Sequence, residues 1–253
     1  MSIDRIASTS VAMSTEADGD DMSEAGGNPW SQRAFFGRRK GHALRPRQAA
    51  LFETLLPRIA LDLSRPAPAD LRGLFAAADE VRLEIGFGGA EHLIAQAQAQ
   101  PHVGFIGSEA YVNGVAKALA AIDRHKLGNV RLHVGDALSL VDWLPTGALA
   151  RIDLLYPDPW PKRRHWKRRF IQDETLSRLA RLLVKGGELR FATDVPDYAV
   201  WTLARALRSS DFVWTATAAD DWRKPWGDFS GTRYEAKARR EGRVPAYFTF
   251  RKV

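Results

Sequence analysis

From residue 81 onward, short apolar runs alternate with segments whose apolar residues recur at helical spacing. The runs are VRLEIG (81–86), HVGFIGS (102–108), VRLHVGD (130–136), RIDLLYP (151–157) and GELRFAT (187–193). The helical segments lie near 90–99, 112–126, 137–143, 170–184 and 196–208. Strands alternating with helices predict βαβ units and an α/β fold with a doubly wound, mostly parallel sheet. Two later runs, DFVWTA (211–216) and AYFTFRK (246–252), have no helix-length apolar pattern between them. They predict a closing C-terminal antiparallel hairpin, with the Gly/Trp/Arg-rich connection 217–245 as a long functional loop. Upstream, RQAALFETLLPRIAL (47–61) carries apolar residues at helical spacing and predicts a short helix ending near Pro57.

Composition divides the chain into three parts. Residues 1–28 are rich in Ser, Ala, Asp and Gly without apolar periodicity and predict a disordered tail. Residues 29–75 predict a basic arm and helix: Arg33, Arg38, Arg39, Lys40, Arg45 and Arg47 accompany Trp30, Phe35 and Phe36, with no acid between Glu24 and Glu53. Residues 76–253 form the predicted main domain. The net charge of +7 conceals an asymmetry, because residues 1–24 hold six acids and one base, leaving 36 basic against 24 acidic side chains in the remainder, a net of +12. So basic a body favours a polyanionic partner, nucleic acid before an anionic membrane surface.

The absence of cysteine excludes disulfides, thiolate catalysis and Cys-ligated metal sites. The six histidines have no HExxH or HxxxH spacing, so no metal is expected. No apolar stretch approaches a membrane span and the N-terminus has no apolar leader segment, which together predict a cytoplasmic protein without a membrane partner.

The first strand runs into LEIGFGGAEHL, a glycine turn at the edge of the sheet where ligands bind. The dinucleotide pattern GxGxxG/A fails at its sixth position, Glu91. Glu84, two residues before the Gly86-Phe87-Gly88 motif, suits a ligand with a positive amine better than a pyrophosphate. Glu109 closes the second strand, where a carboxylate can meet ribose hydroxyls, and Asp136 closes the third, where it can accept from an adenine amino group. Both also precede helices and can serve as N-caps. The fourth strand delivers YPDPWPKRRHWKRR (156–169), in which prolines stiffen the backbone around Asp158 and six Lys/Arg follow within eight positions. A run this basic is expected on the surface, with Arg163, Arg164, Arg168 and Arg169 as phosphate contacts. Trp160, Trp166, Trp222 and Trp226 fit either packing or stacking on unpaired bases.

Glu84, Gly86, Gly88, Glu109 and Asp136 together resemble the class I, Rossmann-like methyltransferases that bind S-adenosyl-L-methionine, with Ala90 where a third glycine is usual. The Asp-Pro-Trp segment resembles the loop of amino-methylating enzymes in which a ring stacks on the target base. More closely, PDPWPKRRHWKRR, with ATD (192–194) and GTRYEAKARREG (231–242), resembles the tRNA (guanine-N7)-methyltransferase family from about residue 30 to the C-terminus. The resemblance implies methyl transfer to guanine N7 in tRNA, at position 46 of the variable loop. It implies Asp158 as the catalytic acid. Glu84, Gly86, Gly88, Glu109, Asp136, Ala137 and Asp158 are then the cofactor residues, and Lys162, Asp194, Thr232, Arg233, Tyr234 and Glu235 the substrate residues. An ionised Glu235, with Asp194 as its partner, would match the paired N1–H and N2 donors of guanine bidentately. The plainer alternative pairs Glu235 with Arg233 or Lys237. A methyltransferase of the same fold acting on another RNA or DNA base or an acidic metabolite, and a non-catalytic RNA-binding protein, are the competing readings.

Overall fold

The computed structural model describes residues 41–253. The predicted tail and the first part of the basic arm, Trp30 to Lys40, lie outside the described residues. The described part belongs to one compact unit, Phe35–Val253. Two short helices, α1 (Pro46–Thr54) and α2 (Leu56–Ile59), come first, with Pro57 in the first turn of the second, where its missing N–H costs nothing. A 3₁₀ turn (Leu71–Leu74) leads to β1 (Glu80–Ile85). Then follow α3 (Glu91–Ala99), β2 (Val103–Glu109), α4 (Val112–His125), β3 (Val130–Val134), α5 (Ala137–Trp143) and β4 (Leu149–Leu155). A second 3₁₀ helix (Arg163–Arg168) precedes α6 (Asp173–Leu182), β5 (Leu183–Thr193), α7 (Pro196–Ala206) and β6 (Phe212–Trp214). The chain closes with α8 (Asp220–Arg223), α9 (Arg233–Arg240) and β7 (Ala246–Lys252).

The seven strands form one sheet in the order β3-β2-β1-β4-β5-β7-β6. Pairings among β1 to β5 are parallel, and β7 runs antiparallel between β5 and β6. The doubly wound sheet and its closing antiparallel pair thus match the expectation. The order reverses between β1 and β4, which opens a crevice at the carboxyl ends of these two strands. Helices flank both faces. Val103 and Phe105 join α1–α4 in one core cluster, while the next residue, Ile106, joins α5–α7 in another, as the alternation of a strand requires. Each fully buried Leu or Phe contributes roughly 1.5–3 kcal/mol, so these two layers hold the sheet.

Two elements depart from the sequence pattern. The apolar run starts the fifth strand at residue 187, yet Leu183 already pairs with Leu149, and Gly186 takes the bend at φ 79°. The connection 217–245, expected as an irregular loop, contains α9. Its sequence RYEAKARR has too few apolar residues to show helical periodicity. The helix is held instead by the Thr232 hydroxyl, which accepts from the Glu235 N–H at 3.1 Å, and by the Glu235–Arg239 pair one turn apart. Among the described residues no helix is long and apolar enough to cross a membrane.

Candidate active site

The turn after β1 is built in the left-handed region, with φ 71° at Gly86, 53° at Gly88 and 64° at Ala90. Ala90 holds this conformation despite its Cβ and is fully buried, which explains how a small residue replaces glycine there. A Cβ on Gly114 of α4 would collide with the Gly88 carbonyl oxygen, so only glycine lets α4 approach the turn. Glu109 fastens the other side. Its Oε2 accepts from the Gly88 N–H at 2.7 Å, and its Oε1 accepts from the N–H groups of Ala110 and Tyr111, each at 2.9 Å. Asp136 caps α5, its Oδ1 accepting from the Leu138 N–H at 3.1 Å, and Ala137 opens that helix.

Glu84 lies beneath the turn, 5% exposed, with Oε2 2.8 Å from His92 Nδ1. Its positive partner in the structure is thus a histidine of α3, eight residues on. Burial pushes the Glu84 carboxyl up, and the His92 ring pulls it only part of the way back. Burial opposes the His92 imidazolium, but the Glu84 charge and hydrogen bond outweigh it, so this pKa also ends above its ordinary 6.5. Both groups bind protons more tightly folded than unfolded. Their stabilising contribution is therefore present below 4.5 for Glu84 and below 6.5 for His92, and is lost as pH rises through the folded values. Thermal unfolding followed from about pH 6 to about pH 9 should show Tm falling, and Glu84→Gln should flatten that fall. Equal slopes in parent and variant would assign the pH dependence to other groups.

β4 ends in a constrained loop. Tyr156 and Trp160, both aromatic, have φ of 51° and 43°, a conformation that costs on the order of 1–3 kcal/mol each. Between them Pro157, Asp158 and Pro159 project Asp158, which is exposed at the crevice edge, although desolvation by the surrounding chain raises its pKa. The 3₁₀ helix carrying the basic run follows, with Lys162, Arg163 and Arg164 exposed.

Arg169 corrects the expectation that the whole run faces solvent. Its side chain is 0% exposed; it ion-pairs with Asp197, and its Nε–H donates to the Pro159 carbonyl at 2.8 Å. Trp166, Tyr198 and Trp201 surround its guanidinium carbon at 4.8, 5.0 and 4.9 Å from their ring centroids. A guanidinium can be buried because its flat faces stack on rings while its edge finds acceptors.

The substrate residues expected from the resemblance lie at the same edge. Asp194, just beyond β5, pairs with Arg243, while Arg233 pairs with Glu91 at the start of α3. Tyr234 is 65% exposed, and its ring passes 3.7 Å from where a Cβ on Gly88 would be. The start of α9 therefore lies against the glycine turn. Glu235 is buried, with Oε1 accepting from the Tyr247 hydroxyl at 2.5 Å and from Arg239 Nε at 2.9 Å. Its ion-pair partner is Arg239 rather than Arg233 or Lys237. With Oε1 so engaged, a bidentate grip on guanine is not compatible with this arrangement, and Oε2, on the side of Gly231, is the oxygen left to a base.

Sequence reasoning missed a polar cluster that ties the long connection to the sheet. Asp228 accepts from Arg151 at 2.8 Å and from Arg190 at 2.7 Å, and Arg151 also donates to Asp153 at 2.9 Å and Gln96 at 2.8 Å. Trp226 and Trp222 serve packing: Trp226 donates to Thr249 Oγ1 at 2.8 Å, and Trp222 packs on Phe248. Among the described residues no cluster of His, Cys, Asp or Glu could hold a metal ion.

A family described as "Putative methyltransferase" matches residues 78–247. The tRNA (guanine-N(7)-)-methyltransferase of Rhodopseudomonas palustris strain BisB5 is 59% identical over 223 residues, 88% of this chain and 87% of the relative. The enzyme of the same name from Chelativorans sp. strain BNC1 is 55% identical, over 88% of this chain and 97% of its own. Among solved structures, the 16S rRNA methyltransferase KamB superposes with a TM-score of 0.55 at 15% identity, covering 74% of this chain and 94% of that one, a likeness of class I methyltransferase fold. With a methyltransferase match spanning the glycine turn, the Asp158 loop and α9, and curated relatives of one name covering 88% of its length, the chain belongs to the tRNA (guanine-N(7)-)-methyltransferase family.

Proposed function

We propose that the chain transfers a methyl group from S-adenosyl-L-methionine to N7 of a guanine in tRNA, the guanine at position 46 of the variable loop. The observation that carries this reading is the convergence of three segments. The glycine turn, the Asp158 loop and the start of α9 meet at one sheet edge, with Tyr234 against Gly88. The crevice suits the cofactor chemically. A Cβ on Gly86 would meet no atom within 4 Å, so this side of the turn is open, and Glu109, Asp136 and Asp158, which follow or end β2, β3 and β4, would offer acceptors to a ligand there. Gly86, Gly88, Glu109, Asp136 and Ala137 would hold the cofactor, with Glu84 acting from beneath and Asp158 reaching it from β4. When bound, S-adenosyl-L-methionine supplies an electrophilic methyl group on a sulfonium.

Guanine N7 carries its lone pair in the neutral base, so no general base has to remove a proton before attack. The chain has then to position the purine and stabilise the positive charge that develops on it. Asp158, held between two prolines, presents a carboxylate for the second task. Lys162 and the exposed arginines beside it would meet phosphates, while Asp194, Thr232, Arg233, Tyr234 and Glu235 would hold the target nucleotide. Thr232 and Glu235 act through the placement of α9, and Tyr234 offers a face for stacking. In this reading residues 76–253 are the catalytic domain, residues 29–75 add a basic arm to the RNA surface, and the protein works in the cytoplasm.

The test is incubation of the chain with methyl-labelled S-adenosyl-L-methionine and an unmodified tRNA transcript, followed by nucleoside analysis. Label on guanine N7, lost when the position-46 guanine is replaced by adenine, is expected. Label on another atom, or on DNA in preference to tRNA, would overturn the assignment.

A further inference from the structure

Arg169 ends a basic run whose other members reach solvent, yet its side chain is 0% exposed. One of its contacts bears directly on the loop that carries Asp158. Nε–H donates to the carbonyl of Pro159, the residue immediately after Asp158. The remainder of the guanidinium is held by α7, through an ion pair with Asp197 and through the rings of Tyr198 and Trp201, with Trp166 of the 3₁₀ helix completing the box. The box is itself pinned: the Trp201 indole donates to the Ile171 carbonyl at 2.7 Å, and the Tyr198 hydroxyl accepts from the Ile171 N–H at 3.2 Å. Tyr156 and Trp160, on either side of Asp158, sit at φ of 51° and 43°. Such a backbone persists only where its surroundings over-determine it. A fork-shaped, permanently charged group with two fixed faces supplies that constraint, and an ammonium does not.

We infer that Arg169 is a positioning residue for the methyl-transfer site, clamping the Pro159 carbonyl to α7 and so fixing Asp158, and that it does not bind tRNA. The inference rests on the proposed function for its effect on turnover, and on geometry alone for the clamp. Because the 3₁₀ helix that carries the exposed Arg163 and Arg164 has this residue as its C-cap, the surface that grips phosphate and the loop that presents the carboxylate share one anchor.

The test compares Arg169→Lys and Asp197→Asn in the full chain with Arg163→Ala/Arg164→Ala. Amide hydrogen exchange at Asp158 and Trp160 should accelerate in Arg169→Lys, with a smaller increase in Asp197→Asn, whose own side chain is 56% exposed and whose replacement leaves the core intact. With tRNA as substrate, kcat should fall at least about tenfold in Arg169→Lys, while KM for tRNA and the dependence of tRNA affinity on salt stay parental. The Arg163/Arg164 variant should flatten that salt dependence, by roughly 0.7–0.9 in slope for each phosphate it no longer neutralises. Unchanged exchange at Asp158 and Trp160, or a salt slope lowered in Arg169→Lys as in the Arg163/Arg164 variant, would overturn the inference. A parent chain that does not methylate tRNA would overturn the functional reading, and the exchange measurement would still decide the clamp.

Discussion

Asp158→Asn is expected to lower kcat by roughly 10²–10³-fold, about 2.7–4 kcal/mol of lost charge stabilisation, while tRNA affinity and thermal stability remain close to parental. The substitution keeps the shape of the side chain and removes only its charge. Asp158 projects from the loop at an exposed position, so little packing depends on it. The effect should therefore appear in kcat rather than in folding, which single-turnover methylation and a melting curve measure together. The same group sets an acid limit. Desolvation holds its pKa above the ordinary 3.8, so acidification should protonate it, and slow the parental reaction, before an unperturbed carboxylate would titrate. A variant methylating at the parental rate would show that positioning alone carries the catalysis and that Asp158 contributes no field.

What is legible in the sequence has a common physical basis. Strands buried in a sheet covered on both faces are short apolar runs, and a turn in the left-handed region favours glycine, so β1 to β5 and the Gly86–Gly88 turn announce themselves locally. Glu109 and Asp136 are legible because they stand at strand ends, and their observed bonds to backbone N–H groups use that position. Arg169 is illegible for the opposite reason. A basic run reads as a solvated face, and only the aromatic residues of α7, some thirty positions away, reveal that one member turns inward. The Glu84–His92 pair hides in a different manner: a histidine in the first turn of α3 faces the strand before it, a relation that hydrophobic periodicity does not encode. α9 carries almost no apolar signal, since a cap, ion pairs and the Glu235–Tyr247 hydrogen bond hold it.

Asp228 illustrates the same blindness at longer range, and its removal should carry the largest cost to stability. Its carboxylate joins Arg151 and Arg190 across 77 and 38 positions of chain, so no local pattern marks it. Although partial burial works against the charge, the two arginines hold its pKa down to about 2. A carboxyl depressed from 3.8 stabilises the fold above its unfolded value and loses that contribution as pH falls toward about 2. Since the side chain is 37% exposed, solvent screening reduces what the shift itself is worth. The larger consequence of Asp228→Ala is on Arg151, whose side chain is 6% exposed and would lose one of its acceptors. Breaking a buried pair typically costs 3–5 kcal/mol, but Asp153 and Gln96 remain on Arg151, so a loss of about 2–3 kcal/mol is expected. Asp228→Asn, which keeps an acceptor, should cost less. Because this residue fastens the segment between α8 and α9 to β4 and β5, methylation should fall along with Tm, and exchange of the 226–235 amides should rise. If Asp228→Ala melts at the parental temperature, the connection is held by the aromatic packing of Trp226, Phe229 and Tyr247 instead, and the charged cluster serves only to neutralise Arg151.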